Sequence, residues 1–268
     1  KHFSMKTIKL DHVKHDRKSS QDCEYIEPNI TEDCLLESEG EIVGFYIRDI
    51  DDYSPRLSQL LSIANAEFRS DNVPKQFLDR ADVIKLGGNR TEARKKGTAQ
   101  WSTILGSVPP NAMTRRHYRN RAAVHNHTPA QVFIKAMTAA AIESGKIIKE
   151  IAPQIYHNQL KVMESISKEW RFGDLFTSSI SNFNIAASFH TDVRNVKGAV
   201  NVIMTKRNNS KGGCLHVPDY NATFEQADNS LVYPAWRNMH GVTPIVPTHT
   251  DGYRNSLIFY SLKAFKDD

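Results

Sequence analysis

Two imidazoles and a carboxylate, His190, Asp192 and His240, stand in an order that could hold a metal ion, and Arg254 follows them. This ligand set is the facial triad of non-haem Fe(II) sites, which leaves coordination positions open for chemistry. His190 and Asp192 are alternate residues, so on one strand both side chains point to the same face and can chelate together. His240 lies far enough downstream for several strands to fold back and deliver a third ligand. Arg254 is a permanent cation able to grip a carboxylate through two parallel hydrogen bonds. The competing reading of the first pair is a His–Asp hydrogen bond in an ordinary site.

The same tripeptide occurs twice, because His249-Thr250-Asp251 repeats His190-Thr191-Asp192. The second copy has no histidine after it and sits between Pro247 and Gly252, a context that predicts a loop. The first copy follows the alternating stretch Asn184-Ile185-Ala186-Ala187-Ser188-Phe189, which suits the end of a strand at a barrel mouth. His125 and His127 form a His-x-His without a Cys or His partner at usable spacing, and read as loop.

Strands and helices must bring the triad together. Ile42–Ile50 has strand character, and Ser54-Pro55 opens a helix with Ser54 as N-cap and Leu57, Leu60, Leu61, Ala64 and Phe68 on one face. Thr128-Pro129 marks a second start, with a helix running to about Ile151 through Val132, Ala136, Ala139, Ala140 and Ile147. Pro153 breaks it, and a further helix covers about Gln154 to Lys168. From Leu175 the pattern becomes short β-prone runs: Phe176–Ile180, Ile185–Phe189, Ala199–Met204, Cys214–Val217, Leu231–Tyr233 and Ser256–Leu262. Helices followed by a β-rich half predict an α+β fold: a double-stranded β-helix (jelly-roll or cupin-like) core buttressed by N-terminal helices. Lys1 to about Glu39 shows little periodicity and reads as an arm or irregular segment.

With 268 residues the chain suits one main domain, and no apolar run approaches the ~20 residues of a membrane helix. Lys1–Met5 carries no apolar leader core. Three cysteines, Cys23, Cys34 and Cys214, are odd in number and not at zinc-ribbon spacing, which points to a reducing, intracellular setting. Phosphate-loop and dinucleotide-binding motifs are absent, and no nucleophile–base arrangement stands out.

The net charge of +5 modestly favours a polyanionic partner. Basic residues concentrate in Lys85–Lys96 and in Arg115-Arg116-His117-Tyr118-Arg119-Asn120-Arg121. Lysine and arginine neutralise phosphates and aromatics stack on exposed bases, so Arg115, Arg116, Tyr118, Arg119 and Arg121 are candidate nucleic-acid contacts. His117 and Tyr118 are candidates for a pocket that takes a base flipped out of its stack. A solvated loop with some structural arginines is the plainer reading.

Further motifs surround the triad. Lys211-Gly212-Gly213-Cys214-Leu215-His216-Val217-Pro218 looks like a tight turn feeding a strand. His240-Gly241-Val242-Thr243-Pro244 leads, after an insert, to Arg254-Asn255-Ser256-Leu257-Ile258-Phe259-Tyr260. With these motifs Phe176–Tyr260 resembles the Fe(II)/2-oxoglutarate-dependent oxygenases. Within them it looks most like the TET/JBP group, which oxidises the methyl group of 5-methylpyrimidines in nucleic acids. The match covers about the C-terminal third. The chain lacks the cysteine-rich zinc-binding segment of the animal enzymes, so the likeness is to compact microbial or phage forms.

The resemblance implies His190, Asp192 and His240 as ligands of Fe(II). It implies Arg254 as the partner of the distal carboxylate of 2-oxoglutarate, Ser256 beside it, and Asn184 lining the cosubstrate site. The implied reaction consumes O2, decarboxylates 2-oxoglutarate to succinate and hydroxylates the methyl group of 5-methylcytosine or thymine in DNA. An oxygenase domain would then occupy residues 41–268, with helical and basic support over 41–174 and the catalytic β-rich core over 175–268, behind the arm at 1–40. DNA is the expected partner, with no membrane association and no obligate protein partner. The expected compartment is the cytoplasm of a bacterial or phage-infected host, or the nucleus of a eukaryote. Two other readings stand beside this one: the same chemistry on a protein side chain or a free amino acid, and a non-catalytic nucleic-acid-binding protein.

Overall fold

Period-two alternation in the β-rich half builds two facing sheets. The computed structural model describes residues 5–77, 100–111 and 115–267. In chain order the strands are β1 (Lys6–Lys9), β2 (Cys34–Ser38), β3 (Glu41–Ile47), β4 (Gln76–Phe77), β5 (Trp101–Val108), β6 (Asn120–Arg121), β7 (Ser178–Phe183), β8 (Ala187–His190), β9 (Asn201–Asn208) and β10 (Ser210–Gly212). They continue as β11 (Leu215–Val217), β12 (Ala222–Thr223), β13 (Ser230–Tyr233), β14 (His240–Val242), β15 (Ile245–Pro247) and β16 (Tyr253–Tyr260).

The major sheet runs β1-β2-β3-β13-β9-β16-β7-β5-β4, with β6 paired to β5. The minor sheet runs β12-β11-β14-β8, and β10 and β15 form a separate pair. Two sheets with a cavity between them make the jelly-roll core expected from the sequence.

Helices cover the outer face of the major sheet. After the single turn α1 (Ile50–Tyr53), α2 (Pro55–Arg69) begins as expected: the Ser54 hydroxyl accepts the Leu57 amide at 3.2 Å, and Pro55 fills the first turn. Leu57, Leu61, Ala64 and Phe68 are buried against α3 (Gln131–Ile151), which contributes Phe133, Met137, Ala140 and Ile148. Val202, Met204, Leu257 and Phe259 join this cluster from the sheet, while their neighbours in sequence face the other way. α4 (Pro153–Glu164) starts at Pro153, where the preceding helix stops.

Three expectations change. Thr128 does not cap a helix: Thr128–Ala130 is a 3-10 turn closed by the Ala130 amide on the His127 carbonyl, and the α-helix starts at Gln131. The last helix ends at Glu164, short of Lys168. The N-terminal segment is only partly irregular. β1 pairs in parallel with β2, and β2 joins β3, so the segment forms the edge of the major sheet. Its middle runs along the minor sheet, where the Ser20 amide donates to the Phe189 carbonyl and the Phe189 amide to Gln21. Such pairing depends on distant partners, which local periodicity does not record. The Lys85–Lys96 cluster lies outside the described residues. No helix among the described residues is long and apolar enough to cross a membrane.

Replacing Ser54 by Ala removes the α2 cap and is expected to lower stability by about 1 kcal/mol. An unchanged urea midpoint for Ser54→Ala would contradict this assignment of the cap.

Candidate metal centre

His190 closes β8 and His240 opens β14, and the antiparallel register sets the two directly opposite each other. Their rings sit 4.5 Å apart between centroids. Each ring is held from behind. His190 Nδ1 lies 2.8 Å from the Ser188 carbonyl and His240 Nδ1 lies 2.9 Å from that of Asn238. A carbonyl only accepts, so Nδ1 carries a proton in both rings, and Nε2 is the nitrogen that can coordinate a metal once its own proton has left.

Both Nε2 atoms converge on one oxygen, Asp192 Oδ1, at 3.3 Å from His190 and 3.7 Å from His240. The three side chains form a group able to hold a metal ion, with ligand atoms within 4.8 Å of one another. The strand ends at His190, however, so Asp192 is not the next same-face residue of β8. A turn delivers it, fixed by the Asp192 amide on the Ala235 carbonyl and the Asn195 amide on the Asp192 carbonyl, each at 3.1 Å.

The second carboxylate oxygen is occupied. Asn201 Nδ2 donates to Asp192 Oδ2 at 3.1 Å, and Asn195 Nδ2 donates to Asn201 Oδ1 at 2.7 Å, which fixes the orientation of the Asn201 amide. Asp192 therefore presents one oxygen to the histidines. Burial pushes its carboxyl pKa up, but the hydrogen bond to His190, the histidine charges and the Asn201 amide outweigh that and hold it low. The same hydrogen bond raises His190 against its own partial burial, while burial lowers His240.

The triad opens into a cavity of about 430 Å³ between the sheets. Ile180 and Asn182 from β7, Asn201 and Ile203 from β9, and Arg254, Ser256, Ile258 and Tyr260 from β16 supply one wall. Leu215 and Val242 from the minor sheet face them. Arg254 is 4% exposed, and its Nε has no hydrogen-bond partner. Burial lowers its pKa to about 10, which leaves it cationic at neutral pH. A buried guanidinium that lines a cavity without a paired anion among the described residues suits an incoming carboxylate. Ser256 Oγ lies beside it and accepts from Asn182 Nδ2 at 3.1 Å.

Other residues named from sequence fall elsewhere. Asn184 does not line this cavity. It adopts a left-handed backbone (φ 54°), and its Oδ1 accepts the Arg254 amide at 2.9 Å, so it anchors the strand behind the arginine. Asn182, Asn195 and Asn201 are the polar residues that sequence reasoning missed. A lone asparagine near a strand end or in a turn carries no signal in a single sequence. Gly212 and Gly213 form the expected tight turn with φ 74° and 60°, and a Cβ at Gly213 would meet Arg254 Cδ at 3.1 Å. His249 and Asp251 stay in an exposed loop, where Asp251 accepts from Asn208 and Asn209. His125 Nε2 accepts the Gly106 amide at 2.8 Å, a structural role.

The basic segment divides. Arg121 donates to Ser107 Oγ and the Arg171 carbonyl, and Arg116 donates to the Pro109 carbonyl, so both serve the local fold. Arg115 and Tyr118 are exposed, and Arg119 donates to the Lys266 carbonyl at 3.4 Å. Neither His117 nor Tyr118 lines the cavity.

A double-sheet core with this donor set is that of the Fe(II)/2-oxoglutarate oxygenases. The description "oxygenase domain of the 2OGFeDO superfamily" (Tet_JBP) matches residues 110–263, more than half of the chain, and the chain belongs to that family. Its cofactors are Fe(II), 2-oxoglutarate and O2, and the protein is an oxygenase. No curated protein matches the sequence. Among solved structures, NgTET1 in complex with 5mC DNA is similar in fold, with a TM-score of 0.56 and 12% identity over 90% of this chain and 85% of that one. A putative 2OG-Fe(II) oxygenase family protein from Caulobacter crescentus gives 0.44 at 11% identity over 81% and 76% of the two chains. OsALKBH1 gives 0.40 at 12% identity over 81% and 96%.

Calorimetric titration with Mn(II) should detect one site that disappears in His240→Ala. Asn201→Ala should weaken metal binding by roughly 10- to 100-fold, the usual effect of losing a partner behind a ligand. Unaltered affinity in Asn201→Ala would show that the amide does not support the carboxylate.

Proposed function

We propose that this oxygenase hydroxylates the methyl group of a 5-methylpyrimidine, 5-methylcytosine or thymine, in DNA. The observation that carries the reading is one cavity holding both the His190–Asp192–His240 group and the buried Arg254, whose Nε has no hydrogen-bond partner among the described residues, in a chain of the Tet_JBP family. The fold likeness to NgTET1 in complex with 5mC DNA supports the substrate class, as does the net charge of +5.

In this reading His190 and His240 would hold Fe(II) through Nε2, and Asp192 would hold it through Oδ1. Arg254 pairs with the distal carboxylate of 2-oxoglutarate, and Ser256 adds a hydroxyl beside it. When bound, Fe(II) with 2-oxoglutarate and O2 supplies oxidative decarboxylation to succinate and CO2, one oxygen atom entering succinate and the other the C–H bond of the substrate. The protein contributes orientation and a dry wall. Ile180, Ile258, Leu215 and Val242 line the cavity with apolar groups, which strengthens the electrostatic grip of Arg254 on its anion. Holding Asp192 Oδ2, Asn201 would leave Oδ1 as the carboxylate oxygen free to bind the metal.

The test is incubation of the iron-loaded protein with 2-oxoglutarate and DNA containing 5-methylcytosine or thymine, or with methylated RNA, followed by nucleoside mass spectrometry. The expected result is a hydroxymethyl nucleoside from DNA with matching succinate. Succinate release with no oxidised base on any nucleic acid would refute the substrate and leave the oxygenase chemistry in place. It would favour a protein side chain or a free amino acid. Arg254→Gln should raise KM for 2-oxoglutarate by roughly 10- to 100-fold, the loss expected for a charged hydrogen-bonded pair, while the Mn(II) isotherm stays unchanged.

A further inference from the structure

The rim of the cavity carries side chains that neither metal nor cosubstrate binding uses. Between Asp192 and Asn195 the chain presents Val193 and Arg194 outward, and both line the cavity mouth. Val193 is 67% exposed, more than any other large apolar side chain among the described residues. One exposed valine means little alone. This one sits on a rigid turn. The Val193 amide donates to the Thr191 carbonyl at 2.8 Å, and the Lys263 amide donates to the Arg194 carbonyl at 3.0 Å. Asn195 and Leu262 form a further bridge. Backbone bonds on both sides thus hold an apolar side chain in water beside a candidate metal ligand.

Cations continue from the same turn. Arg194 is exposed and backbone-bonded to exposed Lys263, and the short turn Lys263–Phe265 leads to exposed Lys266. The Lys266 carbonyl accepts the guanidinium of Arg119 at 3.4 Å. The acid of this run among the described residues, Asp267, accepts the Ser167 hydroxyl at 2.9 Å. A line of four cations therefore runs from the cavity mouth to Arg119 of the basic segment.

We infer that Val193 and the line Arg194–Lys263–Lys266–Arg119 are the nucleic-acid rim of the site. Val193 packs against the base beside the one drawn into the cavity, and the cations neutralise phosphates of the strand. The inference rests on the nucleic-acid reading of the substrate. A base in a duplex reaches the triad only by leaving its stack, which costs ~a few kcal/mol, and an apolar side chain inserted at the vacated step offsets part of that. Lysine and arginine beside it match a polyanion, with a salt-dependent affinity. An acidic protein substrate would use the cations but has no step for Val193 to enter.

The test measures binding by fluorescence anisotropy on Mn(II)-loaded protein, with one 5-methylcytosine oligonucleotide as duplex and as single strand. Val193→Ser should weaken duplex binding about tenfold and leave single-strand binding within twofold, and Val193→Leu should restore the duplex value. Arg194→Ala should weaken both and lower the slope of log affinity against log salt by about one. Mn(II) affinity, measured in parallel, reports whether the neighbouring triad survives each change. Wild-type duplex and single-strand affinities in both Val193→Ser and Arg194→Ala overturn the rim, even if the wild type oxidises methylated DNA. The predicted binding losses support the rim even where no base is oxidised, in which case the chemical reading alone fails. No measurable nucleic-acid binding by the wild type overturns the inference.

Discussion

The charge of Arg254 is the constraint on which much of this architecture depends. A guanidinium at 4% exposure that stays cationic at neutral pH, without a paired anion among the described residues, is a liability to the folded state. Leaving a buried charge uncompensated costs on the order of 3–5 kcal/mol. The surroundings hold the side chain where that cost is incurred. β16 is central in the major sheet, bonded along its length to β9 on one side and β7 on the other. Asn184 grips the backbone of Arg254, and Gly213 leaves room for its stem. A dianionic cosubstrate would turn the liability into binding energy, because the arginine is already desolvated and oriented.

The histidine pair shows how sheet register creates asymmetry. His190 and His240 are cross-strand partners with equivalent backbone anchors, yet the side chain of His240 is 6% exposed and that of His190 47%. Burial keeps His240 neutral and lone-pair bearing on the closed side. His190 faces the mouth, and the turn through Val193 and Arg194 leaves from that side. Under the proposed function a substrate would meet the centre past His190.

Much of the site was legible because it obeys local periodicity. The runs that became β7, β9, β13 and β16 were visible as alternating or β-prone stretches, and Ser54-Pro55 marked a helix start that the structure reproduces. Errors arose where periodicity stopped. On β7 the even residues Ile180 and Asn182 face the cavity, and simple parity would add Asn184. The strand ends at Phe183 and the backbone turns left-handed, which sends that side chain to the neighbouring strand instead. Strand alternation predicts a shared face for His190 and Asp192, whereas β8 ends at His190 and a turn delivers the carboxylate. Charge counting likewise could not separate Arg121, which caps a carbonyl and a hydroxyl, from an arginine free to meet phosphate.

The helical layer does more than cover the sheet. Alternation on β16 sends Leu257 and Phe259 into the helices and Ser256, Ile258 and Tyr260 into the cavity, so one strand transmits the packing of either side to the other. Apolar packing alone leaves the sliding of a helix along a sheet weakly specified. At the Arg254 end, Asn65 on α2 supplies the specification: its Nδ2 donates to the Tyr253 hydroxyl at 3.0 Å and its Oδ1 accepts from Asn255 Nδ2 at 2.8 Å. Those partners flank Arg254 in sequence. A buried amide with both ends engaged is satisfied in one register of helix against strand, because any slip leaves unpaired polar groups in the core. The position of the clamp is thus tied to α2 by directional bonds, and the N-terminal half of the chain shares in defining a site whose chemistry lies in the C-terminal half.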